Sequence, residues 1–182
     1  MARVPYLSQD DLAESDKDLL KRNITLHRAL VNSPNAARAF SGLGMFIRHK
    51  SKLDPRLREM AILQVGWVAR APYEWSHHIK IGREFGVSDD DIRALIADTA
   101  GKPVTLDESA RLVLRAAREA AAGPGIAEPT LAALKKHLNN ELLVDLVVTI
   151  SFYCAVVRLL SSLAIDVEDE YMPYLKEFPL PA

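Results

Sequence analysis

One segment of this 182-residue sequence, Leu142 to Ile165, is apolar on nearly every side when it is drawn as a helix. Its most apolar part, Leu146 to Val157, has 12 residues, fewer than the roughly 18 that a membrane-spanning helix needs. We therefore predict a buried core helix from about Asn140 to Ile165 and no association with a membrane. A single neighbouring layer cannot cover every side of such a helix, so we also predict a homo-oligomer: a dimer, trimer or hexamer.

Prolines, glycines and N-cap residues divide the rest of the sequence into helix-length segments. Asp54-Pro55 and Ala71-Pro72 each place a proline at the first position of a helix. Two further helices begin with pairs that have the spacing of capping boxes: Ser88 with Asp91, and Thr105 with Glu108. Because no strand-length alternation is present, the pattern predicts an all-α fold. The predicted helices cover about residues 23–31, 34–48, 55–69, 72–86, 88–98, 105–122, 129–137 and 140–165.

The length is that of one domain with appendages. We predict a helical core domain over residues 51–166 and a helical N-terminal extension, residues 1–50, packed on it. Residues 167–182 form a proline-rich but aromatic C-terminal arm, which we expect to dock on the body of the protein or on a neighbouring subunit.

Charge and cysteine content exclude several classes of function. Lys and Arg number 23 against 24 Asp and Glu, a net charge of −1, so no nucleic-acid partner is expected. The single cysteine, Cys154, rules out an intrachain disulfide and fits a reducing compartment. The first residues lack the apolar run of a signal peptide, and we expect a cytoplasmic protein.

Glu59 interrupts the apolar helix that begins at Pro55. Its neighbours three and four positions on are Ile62 and Leu63, so the carboxylate needs a partner or a raised pKa. A purely structural ion pair with Arg56, at i−3, is the alternative interpretation.

His78 lies on the apolar stripe of the next helix, between Trp75 and Ile81. Glu74 precedes it by one turn, a spacing at which a carboxylate and an imidazole can meet. A histidine in this position is also common as a core residue without catalytic function. His77 points to the other side of the helix, and we predict that it is solvated.

Glu59, Glu74 and His78 together would form an acid/base cluster in an apolar wall. Measured from Ala71 along antiparallel axes, Glu59 and His78 lie about 18 and about 10 Å away. They would miss each other by several Å unless the helices cross steeply or a neighbouring chain contributes. A metal site with two carboxylates and one histidine is an alternative, but the spacing matches no common motif. We predict no metal and no cofactor.

A longer pattern surrounds these residues: Leu53-Asp54-Pro55-Arg56-Leu57-Arg58-Glu59, then Ile62-Leu63, Trp67, Tyr73-Glu74-Trp75-x-x-His78 and Gly86. This pattern resembles the carboxymuconolactone decarboxylase family, which includes the alkylhydroperoxidase D branch. The resemblance implies an oligomeric alkylhydroperoxidase D-like helical bundle.

The peroxidase branch of that family carries a C-x-x-C motif between its glutamate and its histidine. Glu59 and His78 match the glutamate and the histidine, but the two cysteine positions fall on Ala71 and Glu74. Without both thiols the disulfide-forming peroxidase cycle is excluded. Cys154 lies among apolar residues, and we predict that it is an inert core residue.

The decarboxylase branch lacks the C-x-x-C motif and implies proton transfer to a small carboxylated lactone or a related substrate in the catabolism of aromatic compounds. By this resemblance His78 is the proton donor, Glu59 orients it and raises its pKa, and Glu74 is a second acid/base group or a substrate contact. The same resemblance implies that three aromatic residues bind the substrate: Trp75, Tyr73 and Trp67.

Two alternatives to this lyase activity stay open. One is an alkylhydroperoxidase-like or peroxiredoxin-like oxidoreductase that lacks the redox cysteines, and the other is a non-catalytic oligomeric binding protein. The short dedicated decarboxylases lack an N-terminal extension of about 50 residues, so the resemblance leaves the substrate open.

Overall fold

The structure, a computed structural model, describes residues 2–181. The first residue of the expected extension and the last residue of the expected arm therefore lie outside the described residues. Nine α-helices and three short 3-10 helices make up the regular structure of the described chain, which contains no strand. The α-helices are α1 (Thr25–Leu30), α2 (Pro34–His49), α3 (Pro55–Val68), α4 (Pro72–Glu84), α5 (Asp89–Thr99), α6 (Glu108–Ala122), α7 (Glu128–Leu134), α8 (Asn140–Leu163) and α9 (Met172–Glu177). The 3-10 helices are Gln9–Asp11, Glu14–Leu20 and Asp169–Tyr171. The predicted all-α class is confirmed.

Helix α3 is the centre of the fold. It contacts α4, α5, α6 and α8, and every residue from Arg58 to Gly66 is buried. Its start follows from the sequence, because the Asp54 carboxylate accepts a hydrogen bond from the backbone N–H of Leu57. At its other end α3 packs against α4 at Gly66, where a Cβ would be in ordinary van der Waals contact with the backbone nitrogen of Trp75, at 3.4 Å.

Helix α8 packs against α3 and α6 and supplies much of the largest apolar cluster. Its 24 residues and a mean hydropathy of 2.1 make it long and apolar enough to cross a membrane by those two criteria, and 44% of the window concerned is buried inside the fold. The helix is longer than the 12-residue apolar stretch because it continues past Asp145 and Arg158. On its outer side Val144 is 59% exposed. The predicted oligomer would cover this side and stays a prediction.

Two predicted capping boxes have different outcomes. Ser88 and Asp91 form the predicted box at the start of α5. At α6 the N-cap is Asp107, whose carboxylate accepts a backbone N–H from the residue three positions on. The predicted box of Thr105 with Glu108 is therefore wrong, because an acidic residue nearer the first turn already satisfies the free backbone donors.

Segments from both ends of the described chain pack on the helical core. Near the N-terminus the backbone N–H of Arg3 donates to the carbonyl of Leu163 at the end of α8, at 2.8 Å. Near the C-terminus α9 contacts α4, and Phe178 is buried in the apolar cluster around α4 and α5. The Nε1–H of Trp75 donates to the Phe178 carbonyl, at 2.8 Å, so the C-terminal arm is docked on the helix that carries His78.

Candidate active site

The side chains of Glu59 and His78 meet within one chain. Oε2 of Glu59 lies 2.6 Å from Nδ1 of His78, and the two residues are 1% and 5% exposed. The separation of Glu59 and His78 expected from the helix axes was that of their backbones alone. The two side chains are long enough to close the remaining gap. No neighbouring chain is needed to bring the pair together.

Glu74 occupies the other side of the His78 imidazole. Its Oε1 lies 2.9 Å from Nε2, one helical turn away at i,i+4. This oxygen is buried and is not aligned with a hydrogen-bond donor among the described residues. The imidazole therefore has a carboxylate beside each ring nitrogen, and that of Glu74 keeps capacity to accept a hydrogen bond.

These contacts set the charge of the cluster. Burial alone would lower the pKa of His78, but the charges of Glu74 and Glu59 outweigh it and raise that pKa above the usual value. Burial would likewise raise the pKa of Glu59, whereas the charge and hydrogen bond of His78, together with Arg58, lower it. The two groups therefore form a buried ion pair of an imidazolium and a carboxylate.

Arg58 completes this ion pair and was missed in the sequence. Its Nε–H donates to Oε1 of Glu59, at 3.0 Å, and its Nη1–H donates to the Arg48 carbonyl, at 3.2 Å. The guanidinium is buried against the ring of Phe85, 4.5 Å from the ring centre. The signal was available, because Arg58 and Glu59 are the two charged residues directly before the uncharged run from Met60 to Val68.

The proposed structural pair of Glu59 with Arg56 is wrong. Arg56 forms ion pairs with Asp91 and with Asp107, the latter at 2.9 Å, and so fastens α3 to the starts of α5 and α6. The carboxylate of Glu59 turns away from it, toward Arg58 and His78.

A cavity of about 480 Å³ lies beside the cluster. Its walls come from α1, α2, α4, α8 and the end of the 3-10 helix Glu14–Leu20. Both Glu74 and His78 line it, and apolar surface is supplied by Phe40, Phe152 and Ile81. The volume falls in the range of pockets that hold small organic molecules.

Tyr153 lines the cavity and was not predicted. Its ring stands edge-on to the imidazole of His78, with ring centres 5.1 Å apart. Burial raises the pKa of the phenol, and the charges of Glu74 and Glu59 raise it further, so the hydroxyl keeps its proton. The guanidinium of Arg48 interacts with this hydroxyl. The residue was overlooked because it lies in the middle of the apolar segment of α8.

Of the three aromatic residues expected in the pocket wall, only Tyr73 lines the cavity. Trp75 is fully buried on the far side of α4, where its indole N–H binds Phe178. Trp67 packs against Trp75, with ring centres 5.0 Å apart. The expectation for Trp75 and Trp67 is therefore corrected, because both belong to the apolar cluster behind the site.

The prediction that His77 is solvated is also wrong. The imidazole is buried between the rings of Tyr73 and Tyr171, with ring centres 4.0 and 3.5 Å away. Nε2 lies 2.8 Å from Oε2 of Glu168, yet burial dominates and lowers the pKa to about 4. The cover comes from the C-terminal arm, whose position local helix periodicity does not reveal.

Cys154 lies apart from this chemistry. It is buried, it is not among the cavity residues, and burial raises the pKa of its thiol, as expected of an inert core cysteine. Within residues 2–181 no group of three or more His, Cys, Asp or Glu side chains has an arrangement suited to a metal ion.

Fold and site together define an all-α protein with a buried histidine–carboxylate cluster beside a cavity of small-molecule size. Residues 34–119 match the sequence profile of the carboxymuconolactone decarboxylase family. This match is to the family that the sequence pattern around Glu59 and His78 resembles. No curated protein matches the sequence significantly.

Solved structures confirm the alkylhydroperoxidase D-like fold. A peroxidase-related protein from Ralstonia eutropha JMP134, described as an alkylhydroperoxidase AhpD core, is 18% identical and covers 96% of this chain and 95% of its own, with a TM-score of 0.76. A peroxidase-related protein from Silicibacter sp. TM1040 is 19% identical, covering 93% and 92%, with a TM-score of 0.76. The debrominase Bmp8, in its apo form, is 18% identical and covers 96% and 97%, with a TM-score of 0.73.

Proposed function

We propose that this protein is an acid/base enzyme of the carboxymuconolactone decarboxylase type. It delivers a proton to a small carboxylated lactone or a related substrate. One observation carries the proposal: a buried His78 lies between two carboxylates at the wall of a cavity large enough for such a substrate. A proton donor held in a dry site is what carbon protonation requires.

In a decarboxylation, the bond between carbon and the carboxylate breaks and CO₂ leaves. The electron pair stays on the substrate as a dienolate, and its negative charge spreads onto the lactone carbonyl oxygen. Tyr153 is placed to stabilise that oxygen, because its protonated hydroxyl lies in the cavity wall near His78. Donors aimed at the developing charge lower the barrier.

His78 then gives a proton to the dienolate carbon, and its imidazole becomes neutral until solvent restores the proton. Glu59 holds Nδ1 and so directs Nε2 toward Glu74 and the cavity. Glu74 either passes the proton on or accepts a hydrogen bond from the substrate through its unaligned oxygen. Each turnover consumes one proton and releases one CO₂.

The two alternatives have less support in the site. A thiol-dependent redox reaction would need a sulfur in the cavity, and the single cysteine lies outside it. A debrominase has the same fold, but a likeness at 18% identity is no evidence that this chain has debrominase activity. A binding protein without turnover would not need a charged histidine at the cavity wall.

The test is turnover of 4-carboxymuconolactone and a panel of small carboxylated lactones, followed by proton NMR in D₂O. We expect CO₂ release with one solvent deuteron in the product, and a bell-shaped dependence of the rate on pH. His78→Gln and Glu59→Gln should each slow the reaction about 100-fold or more, with unchanged helicity.

Cys154→Ser is the control and should keep the full rate. Undiminished turnover in His78→Gln would contradict the proposed mechanism. Peroxide reduction that disappears in Cys154→Ser would support the oxidoreductase instead. A substrate bound by wild type, His78→Gln and Glu59→Gln alike, without turnover in any of them, would support the binding protein.

A further inference from the structure

The charges that line the cavity do not cancel. Arg38 is at the wall, but its guanidinium is already paired with Asp16 and Asp18, at 3.0 and 3.1 Å. Lys21, Arg22 and Arg48 also line the cavity. In the described part of the chain none of these three has a carboxylate within ion-pair distance. The acidic residues of the lining are already engaged, Asp18 with Arg38 and Glu74 with His78, so the cavity carries an excess of positive charge.

Arg22 and Arg48 both lie near His27 in the cavity wall. Both guanidiniums lie close enough to His27 to affect its titration: burial is the main cause that lowers the pKa of this imidazole to about 4, and the two positive charges lower it further. The Nδ1 atom of His27 is buried without a hydrogen-bond partner among residues 2–181. Two cations without a carboxylate partner thus lie beside His27 in the cavity wall, where an anion would pair with both guanidiniums.

This end of the cavity is close to the acid/base cluster. Arg48 interacts with the hydroxyl of Tyr153, and the ring of Tyr153 stands 5.1 Å from that of His78. About one aromatic ring therefore separates Arg48 from the proton donor. The surface beside Tyr153 is apolar and includes Phe152.

We propose that Arg22 and Arg48, beside His27, form an anion subsite that binds a carboxylate of the substrate while its apolar body extends toward His78. Guanidinium groups suit a carboxylate because they donate paired hydrogen bonds in its plane. Arg22 and His27 lie outside residues 34–119, the part that matches the family. The subsite therefore makes the segment before α2 a determinant of specificity. This inference rests on the proposed function for the assignment of the cavity as the substrate site.

The experiment measures binding without turnover, by titration calorimetry at pH 7. Benzoate is the probe, benzamide is its neutral equivalent of the same shape, and phenyl phosphate tests the other common oxyanion. We expect benzoate to bind at least 10-fold more tightly than benzamide, with an affinity that falls as salt is added. Equal binding of benzoate and benzamide would overturn the subsite, and tighter binding of phenyl phosphate would overturn its assignment to a carboxylate.

Variants locate the binding to these residues. Arg22→Met and Arg48→Met should each weaken benzoate at least 10-fold and leave benzamide unchanged, while Arg48→Lys keeps part of the affinity. Arg111→Met, on the exposed face of α6, removes the same charge away from the cavity and should change nothing. Helicity and melting temperature show that each variant is folded. Unchanged benzoate affinity in both cavity variants would overturn the proposal.

The same titration separates this inference from the proposed function. His78→Gln should bind benzoate as wild type does, although it has lost turnover. Wild-type turnover without a preference for benzoate would refute the subsite alone. A normal benzoate preference together with full turnover in His78→Gln would refute the proposed mechanism alone.

Discussion

Nδ1 of His78 lies 2.6 Å from Oε2 of Glu59, across a sequence separation of 19 residues. This bond fixes which ring nitrogen faces the cavity. Because Nδ1 is held by Glu59, Nε2 is the atom directed toward Glu74 and the substrate space. The pair therefore sets both the charge and the direction of the proton donor.

We predict that Glu59→Gln lowers the pKa of His78, because it removes one of the two carboxylates that raise it. A reaction that needs protonated His78 fails as the pH rises through that pKa, so the alkaline fall in rate should move to lower pH. NMR titration of the imidazole measures the shift directly. Glu84→Gln, on the exposed side of α4, is the matched control, and a pKa that is equal in both variants would contradict the prediction.

We predict that His77 reduces stability in mild acid. Its pKa is about 4 in the folded protein against an ordinary value of 6.5, so the unfolded state binds the proton more readily between these values. The free energy of unfolding should then fall as the pH drops from 6.5 to 4, by about 3 kcal/mol at most from this group. Chemical denaturation should show a smaller fall in His77→Gln, which can still donate to Glu168. An equal fall in both proteins would show that other groups cause it.

His78 has the opposite effect on how the free energy of unfolding depends on pH. Its pKa is raised on folding, so its stabilising effect is complete below the unfolded value of about 6.5 and is lost as the pH rises through the folded pKa. We predict that His78→Gln removes this alkaline loss. The comparison is the free energy of unfolding of both proteins from pH 6 upward, and an identical slope would contradict an ion-paired His78.

Phe178 should be the main anchor of the C-terminal arm. Its side chain is buried in the cluster around α4 and α5, so Phe178→Ala is expected to cost about 3–5 kcal/mol of unfolding free energy. Leu180→Ala, at a partly buried position two residues on, is the control and should cost less. Limited proteolysis should cut the arm first in Phe178→Ala, and equal protection in both variants would contradict the prediction.

The exposed side of α8 leads to the prediction of an oligomer. Val144 is 59% exposed on this apolar helix, and burying it against a second copy would remove that surface from water. Light scattering should give a mass above 20.2 kDa, and Val144→Glu should lower it toward that of one chain. A monomer in the wild type would refute the prediction.

Local signals explain which parts of the molecule could be predicted. The helix starts followed from Asp54-Pro55 and Ala71-Pro72, because proline and N-cap preferences act within a few residues. Glu59 and His78 were found because a polar side chain on an apolar stripe needs a partner, wherever that partner comes from.

Contacts between distant segments explain the errors. His77 was predicted to be solvated because Tyr171, which covers it, belongs to a distant segment that helix periodicity does not reveal. Trp75 was assigned to the pocket from the family resemblance, but it binds Phe178, which is 103 positions away. Arg22 and His27 reach the cavity only through packing of the N-terminal segment on the core. Helix periodicity gives the face of each residue but not the segment that packs against it.

Glu168 binds His77 across 91 positions of the chain, and this separation has a consequence for biosynthesis. A ribosome adds about 5–20 residues per second, so roughly 5–20 s pass between the synthesis of the two residues. During that time α4 exists with His77 and Trp75 uncovered by the arm. The nascent protein therefore exposes apolar surface on the helix that bears His78, and a chaperone that shields this helix until residue 178 has emerged would raise the yield of active protein.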